Sequence, residues 1–153
     1  MRNTLFLLAI SAFFALSFTS GNKKSDWQGP NRDCIYPAKN LLKQWPENGP
    51  GLVWSFEGLG YGHSAVAMAE NKVFVTGVKD TIESIGALYT FDLNGKLLWK
   101  KEYGKDFALN FHGTRSTPVV VDNRIYIESG MGAIYCLNTD NGEEVWKIDF
   151  LKD

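Results

Sequence analysis

A few residues in this 153-residue chain are of types that chemistry uses. Asp92-Leu93-Asn94-Gly95 and Asp140-Asn141-Gly142 offer side-chain oxygens of the kind calcium takes. Both lack the alternating ligands and the downstream bidentate Glu of a calcium loop, and they read as hairpin turns. Gly58-Leu59-Gly60-Tyr61-Gly62 has the glycine density of a nucleotide loop, yet its spacing fails the dinucleotide fingerprint and no helix follows. It reads as a flexible link. His63 and His112 have no carboxylate or Cys cluster beside them, so no metal site is assigned. Cys34 and Cys136 lie about a hundred residues apart, which excludes a cysteine-only zinc cage and a disulfide-dense mini-domain. Cys136 falls in a predicted strand, where a buried free thiol is the ordinary finding. Arg115 keeps some interest, because a guanidinium can take a carboxylate bidentately.

The elements that must position these residues emerge from an internal repeat. His63-Ser64-Ala65-Val66-Ala67-Met68-Ala69-Glu70-Asn71-Lys72-Val73-Phe74 lies over Arg115-Ser116-Thr117-Pro118-Val119-Val120-Val121-Asp122-Asn123-Arg124-Ile125-Tyr126 at a constant offset of 52. Leu88–Asp92 matches Ile134–Asn138 at 46, and Gly95–Lys100 matches Gly142–Lys147 at 47. Offsets that change between segments mark insertions in loops, where they are tolerated. Each unit reads as four short strands: 64–69, 73–76, 87–91 and 96–101 in the first; 116–121, 125–128, 133–137 and 143–148 in the second. Glu70-Asn71-Lys72 and Asp122-Asn123-Arg124 supply hairpin chemistry, and Gly95 and Gly142 stand where a turn needs positive φ.

Trp99 and Trp146 occupy the last strand of each unit, and Trp54 sits in a similar segment, Leu52–Phe56. The three tryptophans are spaced 45 and 47 apart. Four short strands with one Trp per unit describe the blade of a β-propeller. A blade is covered on both faces by its neighbours, and a large ring on the outer strand fills the widening gap between radial sheets, burying about 150–250 Å². The fold class is therefore all-β: four-stranded antiparallel blades, blade 64–101 and blade 116–148, with an orphan outer strand at 51–56.

Asp92-Leu93-Asn94-Gly95-Lys96-Leu97-Leu98-Trp99 and Asn138-Thr139-Asp140-Asn141-Gly142-Glu143-Glu144-Val145-Trp146 resemble the tryptophan-docking motif of the pyrroloquinoline-quinone (PQQ) repeat, Ala-x-Asp-x-x-Thr-Gly-x-x-x-Trp. Thr90 and Cys136 stand in place of its Ala, and Asn94 and Asn141 in place of its Thr. The resemblance runs from Trp54 to the end of the chain. Asp26-Trp27-Gln28-Gly29-Pro30-Asn31-Arg32-Asp33 is similar to the lead-in of exported PQQ-like propeller proteins, in shortened form. Within such a propeller Arg115 leads into an innermost strand and projects near the axial funnel. It is the one candidate cofactor-binding residue, against the plainer reading of an inter-blade ion pair or a solvated loop Arg. In quinoprotein dehydrogenases, as the resemblance implies, PQQ lies in that funnel over calcium, with an Asp base and often a vicinal Cys–Cys disulfide. No Cys-Cys pair occurs here, and no base is assigned.

Composition sets the outer bounds. Sixteen Lys+Arg against 17 Asp+Glu leave a net charge of −1 and no basic stripe, which argues against nucleic acid. At 44% hydrophobic and 14% aromatic the chain is built to fold. Met1-Arg2-Asn3 and the apolar run Leu5–Phe18 form a secretory leader over residues 1–20, too short for a stable membrane span. Residues 21–50 form an irregular lead-in and 51–153 a partial propeller. Two blades fall short of the 4–8 that usually close a propeller, so the expectation is the N-terminal part of a longer one. Its partners are then the missing C-terminal blades and, beyond them, other exported or outer-membrane proteins.

The repeat encodes packing, so function divides between two classes. One is an exported, non-catalytic scaffold similar to the BamB assembly lipoproteins, with no cofactor in this segment. The other is a fragment of a PQQ-dependent alcohol or sugar dehydrogenase, with PQQ and calcium. On either reading the exported chain is expected to begin between Phe18 and Asn22. N-terminal sequencing of secreted material checks this, and recovery of Met1 would contradict it.

Overall fold

The computed structural model describes residues 24–25, 28–29, 31–80 and 82–152. The leader expected over residues 1–20 lies outside them, as do Asp26, Trp27 and Pro30 of the lead-in. The described strands are β1 (Lys24–Ser25), β2 (Ala67–Ala69), β3 (Lys72–Val78), β4 (Ile85–Asp92), β5 (Leu97–Lys105), β6 (Val119–Val121), β7 (Arg124–Glu128), β8 (Ala133–Asn138) and β9 (Glu144–Asp149). Blade 1 is the sheet β2-β3-β4-β5, and blade 2 is β6-β7-β8-β9 with β1 added at the edge of β6. All pairings within the blades are antiparallel between consecutive strands. The β2–β3 hairpin turns at Glu70 and Asn71, both at positive φ (51° and 58°), the geometry the Asx chemistry of the turn anticipates.

Three details depart from the sequence expectation. The innermost strands are shorter than 64–69 and 116–121, because their first residues bond across the blades instead. Ala65 N–H donates to Thr117 Oγ1 at 2.9 Å, and Pro118 has no N–H to offer a ladder. Residues 51–56 form no strand, since a strand is defined by a ladder partner and none pairs with this segment among the described residues. The Gly58–Gly62 link is also tied at its far end. Tyr61 and Val78 exchange N–H···O bonds of 2.8 Å, and His63 N–H donates to Thr114 O at 2.7 Å.

The core is the interface between the blades. Blade 1 contributes Ala67, Phe74, Leu88 and Tyr103, and blade 2 answers with Val120, Ile125, Ile127, Tyr135 and Leu137. The opposite face of blade 1, with Val73, Ala87, Tyr89 and Phe91, is covered by Trp54 and Leu59 from the segment before it. Aromatic pairs cross both seams: Tyr103–Tyr135 at 5.3 Å between the blades, Phe56–Tyr89 at 6.1 Å on the other face.

Trp54 and Trp99 each pack on the glycine of the following unit's last turn. A Cβ built at Gly95 would lie 2.6 Å from the Trp54 indole, and one at Gly142 only 2.7 Å from Trp99. Both glycines also hold positive φ, 85° and 70°. A β-bulge precedes the Trp in each blade. Thr90 faces Trp99 but Phe91 faces Leu97, and Cys136 faces Trp146 but Leu137 faces Glu144. The extra residue, Leu98 or Val145, twists the outer strand, and in blade 1 the Trp99 ring lies against Gly142 of blade 2.

A buried carboxylate ties the lower seam. Asp106, 1% exposed, accepts from Tyr103 Oη–H at 2.7 Å and from the N–H groups of Phe107 and Gly130 at 2.7 and 2.8 Å. Gly130 lies in the β7–β8 turn of blade 2, so this carboxylate joins the exit of β5 to the neighbouring blade. Burial, with the Asp106 carboxylate beside it, pushes the Tyr103 phenol far above its ordinary range.

Two stability outcomes are expected. Trp99→Ala leaves a cavity over Gly142 and costs about 3–5 kcal/mol in a denaturant series, whereas Trp45→Ala, 66% exposed in the lead-in, costs little. Equal losses would contradict the docking role. Tyr103→Phe removes a donor from Asp106 and costs about 1–3 kcal/mol. Because the folded state raises the Tyr103 pKa, its contribution is constant below the unfolded value of about 10 and is lost as pH climbs beyond it. Urea titrations from pH 8 to 11 should show that loss in the native chain and its attenuation in Tyr103→Phe.

Candidate functional site

The strand ends nearest the blade centres gather the polar side chains. In blade 1, Thr76 at 3% exposure donates or accepts within a hydroxyl cluster, 2.9 Å from Ser64 Oγ and 3.0 Å from Thr114 Oγ1, and lies 3.1 Å from Ser116 O. Here β3 of blade 1 meets the entry to β6 of blade 2. The repeat puts Glu128 where Thr76 stands, and Glu128 is exposed with its N–H bonded to Ser116 Oγ at 3.1 Å.

Arg115 leads into β6 as the sequence suggests, and it is exposed. Its guanidinium stacks 4.2 Å from the centroid of Phe107, and Nη2 donates to Phe111 O at 3.2 Å. Both contacts belong to the loop joining the blades. Arg115, Ser116, Glu128, Ser129 and Gly130 line one open cavity of about 240 Å³. A guanidinium and a carboxylate on one rim can hold a small polar or zwitterionic group. The sequence singled out Arg115 and missed Glu128. The signal was the exchange of a hydroxyl for a carboxylate between equivalent repeat positions.

The other candidates fall apart in space. Gly95 and Gly142 serve the tryptophan seams, and the Asp92 carboxylate caps its own turn by accepting from the Asn94 and Lys96 N–H groups at 2.8 and 2.9 Å. His63 is exposed, and His112 is half-buried with Nδ1 unpartnered. Cys34 is exposed, Cys136 is buried in β8, and both are free thiols. Burial pushes the Cys136 thiol up, away from reactive thiolate. Among the described residues no three of His, Cys, Asp and Glu converge on one point, and no helix is long and apolar enough to cross a membrane.

Comparison with known proteins agrees with this architecture. Residues 84–153 match the family model described as outer membrane protein assembly factor BamB. No curated protein matches the chain. Among solved structures, a europium-containing methanol dehydrogenase matches with a TM-score of 0.50 and 18% identity, over 65% of this chain. The chain spans 18% of that protein's length, and at this identity the likeness concerns the fold alone. The repeat, the two interlocked blades and the match over residues 84–153 agree on one architecture: a partial β-propeller whose second half is similar to PQQ-like repeats.

Proposed function

We propose that this chain belongs to an exported, non-catalytic PQQ-like propeller that acts as a binding or assembly scaffold. The observation that carries the reading is the match of residues 84–153 to the family of an outer-membrane assembly factor. The local chemistry supports it. Arg115, the one candidate for an acidic cofactor, is engaged by the Phe107 ring and the Phe111 carbonyl within its own loop. The buried polar groups serve packing, with Asp106 and Thr76 both tying blade 1 to blade 2. The scaffold's partners are further blades of its own propeller and other exported or outer-membrane proteins, which the leader over residues 1–20 brings it to meet.

The competing class is a PQQ-dependent dehydrogenase, and the two differ in one measurable property. Titration of the full-length gene product with PQQ and calcium is expected to leave its tryptophan emission without saturable quenching. Stoichiometric quenching, accompanied by dye-linked oxidation of an alcohol or sugar, would overturn the scaffold reading.

A further inference from the structure

The interface between the blades is a template for its own repetition. Blade 1 presents Ala67, Phe74, Leu88, Trp99 and Tyr103 to blade 2. At the repeat offsets of 52, 46 and 47, the far face of blade 2 presents Val119, Tyr126, Ile134, Trp146 and Phe150. Phe74 and Leu88 are fully buried, whereas Trp146 and Phe150 are 40% and 63% exposed. Trp146 already has the local geometry of Trp99: the same bulge precedes it, and its ring lies 5.9 Å from Tyr126, as Trp99 lies 6.4 Å from Phe74.

A charge accompanies this surface. Lys72 at the start of β3 crosses to the turn of blade 2, where Nζ meets Asp140 Oδ1 at 2.7 Å and Thr139 O at 3.2 Å. Its repeat counterpart is Arg124, whose Nη1 turns back to Asn123 O at 2.8 Å. The receiving turns differ. Blade 2 turns through Asn138-Thr139-Asp140-Asn141-Gly142, while blade 1 turns through Asp92-Leu93-Asn94-Gly95, one residue shorter and without a counterpart of Asp140. The two turns also spend the same carbonyl differently. Leu93 O accepts from the Trp54 indole N–H at 3.0 Å, whereas Lys72 takes Thr139 O and leaves the Trp99 Nε1–H unpartnered.

We propose that the far face of blade 2 docks a further blade of the same repeat array, and that Arg124 selects one whose turn carries an acidic residue before its Asx-Gly. That blade places glycine under Trp146 and a carboxylate against Arg124. Blade 1 of a second copy does not fit, since the carboxylate of its turn, Asp92, is taken by the Asn94 and Lys96 N–H groups, no acid stands directly before Asn94-Gly95, and its glycine already lies under Trp54. The surface therefore favours extension of the array over head-to-tail association of copies. This inference rests on the propeller reading and adds to it a rule for which blade follows.

The test extends the chain after Phe150 with a second copy of residues 104–152, and compares it with an extension by residues 57–103. The first extension is expected to bury Trp146, seen as a blue shift and loss of iodide quenching that Trp146→Phe abolishes. Arg124→Glu should reverse the shift, and Lys in place of the appended Asp140 should restore it. Equal burial by the 57–103 extension, with no effect of Arg124→Glu, would overturn the charge rule while leaving the propeller intact. Failure of both extensions to bury Trp146 would overturn the docking surface and the propeller reading together. Light scattering on the unextended chain supplies an independent arm: a dimer that dissociates in Trp146→Glu would favour association of copies and overturn the proposal.

Discussion

An indole ring lying on a glycine is the contact on which the rest of this structure depends. Trp54 over Gly95 and Trp99 over Gly142 leave no room for a Cβ, so each indole fixes the position of the next unit's last turn. Each ring removes about 150–250 Å² from water, a contribution of roughly 4–6 kcal/mol at 25 cal/mol per Å². That is large beside the total stability of a small domain, about 5–15 kcal/mol.

The other features fall into line around that contact. The bulges at Leu98 and Val145 twist the outer strands, the Tyr103–Tyr135 pair continues the seam, and the Asp106 carboxylate closes it at the exit of β5. At the inner end, Thr76 and Thr114 share a buried hydroxyl contact that only small polar residues can make. Aromatic packing, a buried carboxylate and a hydroxyl cluster thus hold one interface at three depths. The Lys72–Asp140 ion pair adds little energy at its exposed end, but it distinguishes one turn from another. Packing supplies the stability in this arrangement, and the ion pair marks one turn apart from the other.

Much of this was legible before any coordinates, for a physical reason. A repeat exposes the residues that packing requires at each pass, so Trp99 and Trp146 with Gly95 and Gly142 stand out by recurrence alone. What recurrence hid was pairing. Residues 51–56 share the Trp of an outer strand, yet a strand needs a ladder partner, which that segment does not have among the described residues. The bulges were invisible because an extra residue in a strand leaves no mark on composition. Asp106 was overlooked because it follows the strand it serves and does not appear in the aligned blocks. Glu128 was the subtler omission: at the position of Thr76, the departure from the repeat carried more chemistry than the repeat did. Arg115 was found by type and place, but its partners, an aromatic face and a carbonyl in its own loop, lay beyond what spacing encodes.

The central claim is that Trp99 and Gly142 are energetically one contact. A double-mutant cycle measures this directly, with Trp99→Ala, Gly142→Ala and the pair compared by urea unfolding. The positive φ of Gly142 strains an alanine in both backgrounds, so the coupling term isolates the clash with the ring. If the contact governs the seam, Gly142→Ala is markedly less damaging once Trp99 is gone, with a coupling of about 1–3 kcal/mol. If the two losses add to within about 0.5 kcal/mol, the ring and the glycine are independent and the account of the blades is wrong.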